Sequence, residues 1–534
     1  MLDRLYFNGI VRTMDEENPI AQALGVLDGK IVFVGSDDEA KMLEAAEKID
    51  LDGKLMLPGF NEGHMHLGTY SFANMNVKLF ETKSVEECLE RMKARLEETP
   101  DMKWMYARGF NDQSFEVEKR YPTREELDSV SNQIPIMAVR ACGHAAVVNS
   151  VAMDKIVKLP EAEEMLGNRI HPETGEVDEA AVKLFYKVMD ELTVEDAEKF
   201  LSFGMKKLAE CGITSCQTDD LKGIPAAQWR TVIQAYKNLE ARGEMPVRIY
   251  EQCLFLHYPE FEEFVAEGYR TGQGDTFKIG PLKLLLDGSL GARTAALTKP
   301  YIGTEDNYGL LVISQEEMNQ FATLAQKENI QIAVHCIGDR AMEVTLEAFE
   351  TANAAYPGTD RRHGIVHAQL TTKAILERMA RDEAIAYIQP VFVPTDMDVT
   401  EARVGYDWMQ ETYAWKTMNE LGILTVGGSD APVESFDVMD NLYFAVTRQK
   451  LNGFPEGGWL PHEKVSIYEA VEMFTTHGAK SMFMEDCLGQ LKEGFEADMV
   501  IVAEDIFEIP AERIKEVPIC ETIMGGNTTY KKVL

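Results

Sequence analysis

Apolar and polar positions follow two textures along this chain. Residues 1–57 read as short strands, LYFNGIVRTM, ALGVLDGKIVFVG and GKLMLPG, broken by Asp-Gly turn signals at 28–29 and 52–53. The stretches ADMVIVAED (497–505) and ETIMGGNTTYKKVL (521–534) have the same character. Neither end carries enough apolar residues for a core of its own. Residues 1–57 plus 485–534 are therefore expected to pair as one small β-sandwich domain.

Across 58–484 the pattern changes to apolar, β-branched segments separated by amphipathic helical stretches such as SQEEMNQFATLAQKEN. The segments are ITSCQTDD (213–220), PVRIYEQCLFL (246–256), PLKLLLDGS (281–289), IQIAVHC (330–336), HGIVHAQ (363–369), IAYIQPVFV (385–393) and ILTVGGSD (423–430). LMLPGFNEGHMH, counted as the first of the set, brings the number to eight. Eight strand–helix units in one run predict an α/β fold of the (β/α)8 TIM-barrel type with right-handed crossovers. A doubly wound open sheet is the alternative, weakened because no Gly-rich phosphate turn follows the first strand. About 150 residues lie between the first and second strands, far more than a βα connection needs. An inserted subdomain over about residues 70–195 is expected there, holding PIMAVRACGH and the turn-rich HPETGEVDE.

Composition narrows the functions without naming one. The 534 residues include 89 acidic against 53 basic, a formal net charge of −36. That excess disfavours contact with nucleic-acid backbone or an anionic membrane surface. The eight cysteines stand singly, with no CxxC pair, as expected of free thiols in a reducing compartment. The N-terminus lacks the apolar core of a signal peptide, and the longest apolar-rich run, 134–153, is interrupted by Arg140, His144 and Asn149. A cytoplasmic protein without membrane or nucleic-acid partners is the expectation.

Candidate chemistry sits at the strand ends. His64 and His66 close the first strand two residues apart and share one face, so both imidazoles can meet a single ion. Lys283, His335, His367 and Asp430 each lie in, or close, a later strand segment. In such barrels the C-terminal strand ends converge on the catalytic face. Imidazole and carboxylate together suit zinc or a similar divalent ion, one or two per chain. A lone His or Asp at a strand end is more often structural, so the reading rests on the set. His363, four residues before His367, reads as structural, because its segment is strand-like and lacks the glutamate of H-E-x-x-H.

The pieces PGFNEGHMH, KLLLDGSLGARTAAL, VHCIGDRA, HGIVHAQ and GGSDAPV, followed by GQLKEGFEADMVIV, resemble the amidohydrolase superfamily over essentially the whole chain. More narrowly they resemble its N-substituted formamide deformylase-like branch. The resemblance implies that His64, His66 and Asp430 bind one metal, and His335 and His367 a second. It also implies a carboxylated Lys283 whose carbamate bridges the ions. An ammonium beside two dications would be strongly disfavoured, whereas a carbamate is an anionic ligand. Asp430 then acts as general base and acid around a metal-activated water. Relatives carry similar residues at the places of His144, Asn149, Asp287, Arg293, Asp339 and Arg340. This implies catalytic carbonyl polarisation by His144 and substrate contacts by the other five. The structural alternatives are Asp339 capping a helix that begins near Arg340, and Arg293 pairing with Asp287. Asn111 and Asp112 read as a loop turn. Two departures stand out: Glu62 where many relatives have Asp, and Val366 where many have an acidic residue.

The implied function is metal-dependent hydrolysis of C–N bonds in linear, non-peptide amides, such as N-formyl or N-acyl compounds. Hydrolytic deamination, or cyclic-amide hydrolysis, on the same barrel is the alternative. Deaminase relatives place H-x-x-E at strand five, where this chain has HCIGD. Its H-x-x-E, His257–Glu260, follows strand three. A non-catalytic regulator that kept the fold is the second alternative, disfavoured by the complete ligand set. The expected partner is a small amide-type molecule. The inserted region would serve as a lid, a specificity element or a homo-oligomer contact.

Overall fold

The computed structural model describes residues 1–358 and 360–533. The chain forms two compact units, one of Met1–Leu67, Gly204–Asp220 and Tyr236–Leu534, the other of Gly68–Phe203 and Leu221–Ala235. In the first, eight parallel strands make a nearly closed barrel: β1 (Phe60–Met65), β2 (Ile213–Thr218), β3 (Arg248–Leu254), β4 (Phe277–Leu285), β5 (Ile332–Cys336), β6 (Gly364–His367), β7 (Ile385–Ile388) and β8 (Thr425–Gly427). Each is hydrogen-bonded to its neighbour in chain order. Leu282, Leu284, Ile332, Val334, Ile365 and Ile385 are all buried, as parallel strands covered on both faces require. β7 stops short of its apolar run because Pro390 opens a 3-10 turn, Pro390–Phe392, and cannot donate to a ladder.

The seam between β8 and β1 is closed by backbone groups just past the strands. Asp430 N–H donates to His64 O at 2.8 Å, and His66 N–H donates to Ala431 O at 2.7 Å. Glu62 straps the same seam, its Oε1 accepting Ser429 N–H at 2.7 Å and His64 N–H at 3.1 Å. Glycine permits the approach: a Cβ on Gly63 would lie 2.6 Å from Gly427 O.

LMLPGFNEGHMH is two strands, where the alternating pattern predicts one. Leu55–Pro58 runs antiparallel to Met499–Val502 in a six-stranded sheet, and β1 starts after Gly59. Gly59 N–H donates to Asp498 O at 2.9 Å, and the next amide, Phe60 N–H, donates to Gly212 O at 3.0 Å. A Cβ on Gly59 would meet Thr214 Oγ1 at 2.2 Å, so only glycine passes here. The six-stranded sheet also contains Ile10–Arg12, Ile20–Ala21, Ile519–Met524 and Asn527–Lys531. A four-stranded sheet of Leu2–Phe7, Ala23–Leu27, Lys30–Gly35 and Ala45–Asp50 shares its core, with Tyr6, Val26 and Ile31 packed among Val11, Met56, Met499 and Ile501.

The second unit holds its own six-stranded sheet of Val77–Lys78, Met105–Phe110, Ile136–Arg140, Ala145–Val148, Ile170–His171 and Glu176–Asp178. Its core gathers Leu79, Met92, Phe110, Leu127 and Val147, two of them from the helices Val85–Glu98 and Arg124–Val130. Among the described residues no helix is long and apolar enough to cross a membrane. All eight cysteines are free, and Cys88, Cys216, Cys253 and Cys336 are buried.

Candidate metal centre

Barrel geometry gathers the strand-end residues. His66 Nε2 lies 2.9 Å, and His64 Nε2 3.4 Å, from Asp430 Oδ1. The His367 ring centroid is 5.9 Å from that of His64 and 4.5 Å from that of His335. Lys283, fully buried in β4, places Nζ 3.4 Å from Asp219 Oδ2. Asp219 Oδ1 in turn is hydrogen-bonded to His66 Nδ1. His64, His66, Lys283, His335, His367 and Asp430 thus form one cluster.

The outward nitrogens of three of these histidines are committed. His64 Nδ1 donates to Gln252 Oε1 at 2.7 Å, His367 Nδ1 to Gln389 Oε1 at 2.8 Å, and His66 Nδ1 to Asp219. Amide and carboxylate oxygens only accept, so each Nδ1 carries a proton, and the neutral His64 and His367 rings keep a lone pair on Nε2. His64 Nε2 is buried with no hydrogen-bond partner among the described residues. His335 is turned the other way, with Nε2 3.2 Å from Gly288 O and 3.4 Å from Asp287 Oδ1. Its proton sits there, and Nδ1 is its free nitrogen.

Electrostatics keep most of this set in the form a cation requires. Burial, reinforced by Lys283, lowers His64 and pushes His335 down to about 4. Burial takes His367 well below the ordinary imidazole range. Burial would raise the Asp430 carboxyl, but the neighbouring His64 and His66 rings hold it well below the usual carboxylate range. His66 is the exception: against burial, Asp219 and Asp430 lift it to about 10, a proton that a bound dication would displace. Ligand atoms of His64, His367 and Asp430 lie within 4.8 Å of one another, as do those of His64, His66 and Asp219. Lone-pair nitrogens, an orphaned buried Nε2 and two carboxylates fit a divalent ion.

The residues expected to touch substrate fare differently. Asn149 is a correction: its Oδ1 accepts the Ala152 and Ile136 N–H groups, and its Nδ2 donates to Ser131 O and Ile134 O. With both side-chain atoms so engaged, it is a buried helix cap that ties down a strand. Asp287 is likewise structural, accepting N–H groups from Ile337, Gly338 and Ala296, and burial raises it to about 7. Asp339 opens the helix Asp339–Ala355 and clamps the Thr298 N–H and hydroxyl. Arg340 is exposed, 3.0 Å from Glu343. The Arg293–Asp287 pair does not form. Arg293 instead has φ of 57° and a buried Nε with no partner among the described residues. His144 belongs to the second unit, where its exposed ring lies 3.2 Å from Glu179. Asn111 caps the turn Asp112–Ser114, and Asp112 accepts from Arg140 Nε at 2.7 Å. His363 is saturated, accepting Ile332 N–H at 3.1 Å and donating to Gln326 Oε1 at 2.9 Å.

Sequence reasoning passed over Asp219, Gln252 and Gln389, which set the histidine rings. Asp219 and Gln389 lie just past a barrel strand and Gln252 two residues before the end of one, and that position near the C-terminal strand ends was the available signal. Glu62, where many relatives have Asp, holds the β8–β1 seam, and burial raises its carboxyl to about 8.

A model of the amidohydrolase family matches residues 47–530. The chain belongs to the amidohydrolase family. YtcJ of Bacillus subtilis (strain 168) is 29% identical to this amidohydrolase over 537 residues, covering 99% of both chains. N-substituted formamide deformylase of Arthrobacter pascens is 24% identical over 570 residues, covering 100% of this chain and 99% of that one. The crystal structure of an uncharacterized metal-dependent hydrolase from Pyrococcus furiosus aligns with a TM-score of 0.79 at 27% identity, over 95% of this chain and all of that one. Family membership, this neighbour and the His/Asp clusters together support a metal-dependent hydrolase.

Proposed function

We propose that this amidohydrolase cleaves the C–N bond of a linear, non-peptide amide, such as an N-formyl or N-acyl compound, with zinc as the favoured metal. The observation that carries this reading is the set of imidazoles fixed by Gln252, Asp219 and Gln389 beside Asp430. His64, His66 and Asp430 would hold one ion, and His335 with His367 a second. Lys283, as a carbamate, would add an anionic ligand and remove an ammonium from a buried site meant for cations.

A divalent ion at such a site supplies a water of lowered pKa and a Lewis acid for the carbonyl. The chain's own part is orientation and proton handling. Asp430 Oδ1 faces the His64 and His66 nitrogens, so Oδ2 is the atom to take a proton from water and pass it to the leaving nitrogen. A linear amide is favoured over a heterocyclic deamination because the end of β5 carries HCIGD, and the H-x-x-E of this chain, His257–Glu260, lies away from it after β3. His257 immediately precedes the helix Tyr258–Ala266, and Glu260 N–H bonds to His257 O at 3.1 Å.

The test is a panel of N-formyl, N-acyl and cyclic amides against metal-loaded wild-type protein and Asp430→Asn. The expected result is hydrolysis of a linear amide, reduced about 10²–10⁴-fold in the variant while most of the metal is retained. Wild-type turnover in Asp430→Asn, or hydrolysis confined to cyclic substrates, overturns the reading.

A further inference from the structure

Past β6, β7 and β8 the chain builds a second polar cluster. Gln369, two residues beyond His367 and 3% exposed, donates its Nε2 to Asp396 Oδ2 and Tyr413 Oη, each at 2.7 Å. Tyr413 Oη donates to the same Asp396 Oδ2, also at 2.7 Å. These contacts fix which end of the carboxamide is nitrogen, because a carboxylate can only accept. Gln369 Oε1 is then a buried acceptor with no hydrogen-bond partner among the described residues.

Glu434 follows Asp430 by four residues, and its Oε1 lies 3.4 Å from the hydroxyl of Thr395, the residue before Asp396. Burial raises both carboxyls, and Asp396 raises Glu434 further, with no cation among the groups acting on either. The cluster thus holds one buried carboxamide oxygen without a donor among the described residues, beside two carboxyl groups that no cation faces. A buried acceptor left without a donor is costly, and neighbouring carboxylates without a counter-charge add repulsion. A ligand that relieves all three must donate hydrogen bonds and carry positive charge. The net charge of −36 favours the approach of such a ligand. Phe392 links the cluster to the metal centre: its carbonyl lies 3.1 Å from the Thr395 hydroxyl, and its ring stacks on His367 with centroids 5.9 Å and planes 13° apart.

We propose that Gln369 Oε1, Asp396 and Glu434 bind a cationic nitrogen group of the substrate, an alkylammonium or guanidinium at the end of an apolar arm. The word substrate rests on the amide-hydrolase reading; the cation site rests on the cluster itself. The Phe392 ring would carry the arm's apolar stem between the cation and the scissile bond.

The test uses the full-length, metal-loaded protein and two readouts. In calorimetry, benzylammonium is compared with benzyl alcohol, its neutral counterpart, on wild type, Glu434→Gln and Asp396→Asn. Benzylammonium is expected to bind at least about tenfold more tightly than the alcohol, and Glu434→Gln to remove about tenfold of that preference. Asp396→Asn also disturbs the Tyr413 contact, so its thermal unfolding is measured alongside; Glu434 does not share that contact. In kinetics, matched N-formyl amides with ammonium-bearing and neutral arms should show a KM ratio that Glu434→Gln shifts by about tenfold, with kcat little changed. Equal binding of the two probes by wild type, or an unchanged preference in Glu434→Gln, overturns the proposal. If no amide is hydrolysed while the ammonium preference and its loss in Glu434→Gln persist, the cation site stands and the amide reading falls.

Discussion

Replacing Gly63 with alanine tests whether the β8–β1 seam is what brings Asp430 to the histidines. The added Cβ would sit 2.6 Å from Gly427 O and 2.7 Å from Val426 Cγ1, where ordinary contact begins at 3.4 Å. The nearest obstacle is backbone, which no rotamer change can remove, so the strands must part by roughly 0.8 Å. Overpacking of this kind costs about 1–3 kcal/mol. The seam bonds from Asp430 N–H to His64 O and from His66 N–H to Ala431 O stretch with it, each contributing about 0.5–1.5 kcal/mol. The expected loss is about 2–6 kcal/mol of unfolding free energy, accompanied by weaker metal binding as Asp430 moves off His64 and His66. Gly291→Ala is the control, because a Cβ there meets nothing within 4 Å and φ is not positive. Urea unfolding and metal content after dialysis read the outcome. A Gly63→Ala protein within about 0.5 kcal/mol of wild type and fully metallated would refute the reasoning.

Two further outcomes follow from groups around the centre. Gln389→Leu removes the acceptor of His367 Nδ1, freeing the ring to rotate, and should weaken metal binding about 10–100-fold in chelator competition; unchanged affinity contradicts the role. His363 is pushed down from 6.5 to about 3 by burial, so below 6.5 the unfolded chain takes up a proton that the folded chain refuses. Its contribution is complete above the unfolded value and is lost as pH falls toward the folded one, by about 1.4 kcal/mol per pH unit. The stability gap between wild type and His363→Asn should therefore narrow by about 2 kcal/mol between pH 6.5 and about 5, and a constant gap would count against it.

Much of the barrel was legible because buried parallel strands leave continuous apolar runs, and because the metal-type residues close those runs on one face. IQIAVHC and HGIVHAQ carry both signals in a few residues, and β5 and β6 lie within them. What was not legible depends on residues far apart in the chain. Gln252 and Asp219 look like ordinary polar strand ends until the fold sets them against His64 and His66, 188 and 153 positions away. The break at Gly59 hides inside an unbroken apolar pattern, since its cause is the close approach of Thr214. Asn149 misled for the opposite reason. A polar residue in an apolar run suggests function, yet here it satisfies two backbone N–H groups and two carbonyls that would otherwise be buried unpaired.

The central claim is that the His64, His66, Lys283, His335, His367 and Asp430 cluster is a metal centre that hydrolyses amides. Its most direct test is titration of metal-stripped protein with zinc, following metal bound per chain and amide hydrolysis in the same samples. The account predicts that activity is absent without metal, rises in step with occupancy, and is abolished in His335→Ala. Full hydrolysis by protein holding no metal, or stoichiometric metal with no hydrolysis of any amide, would contradict it.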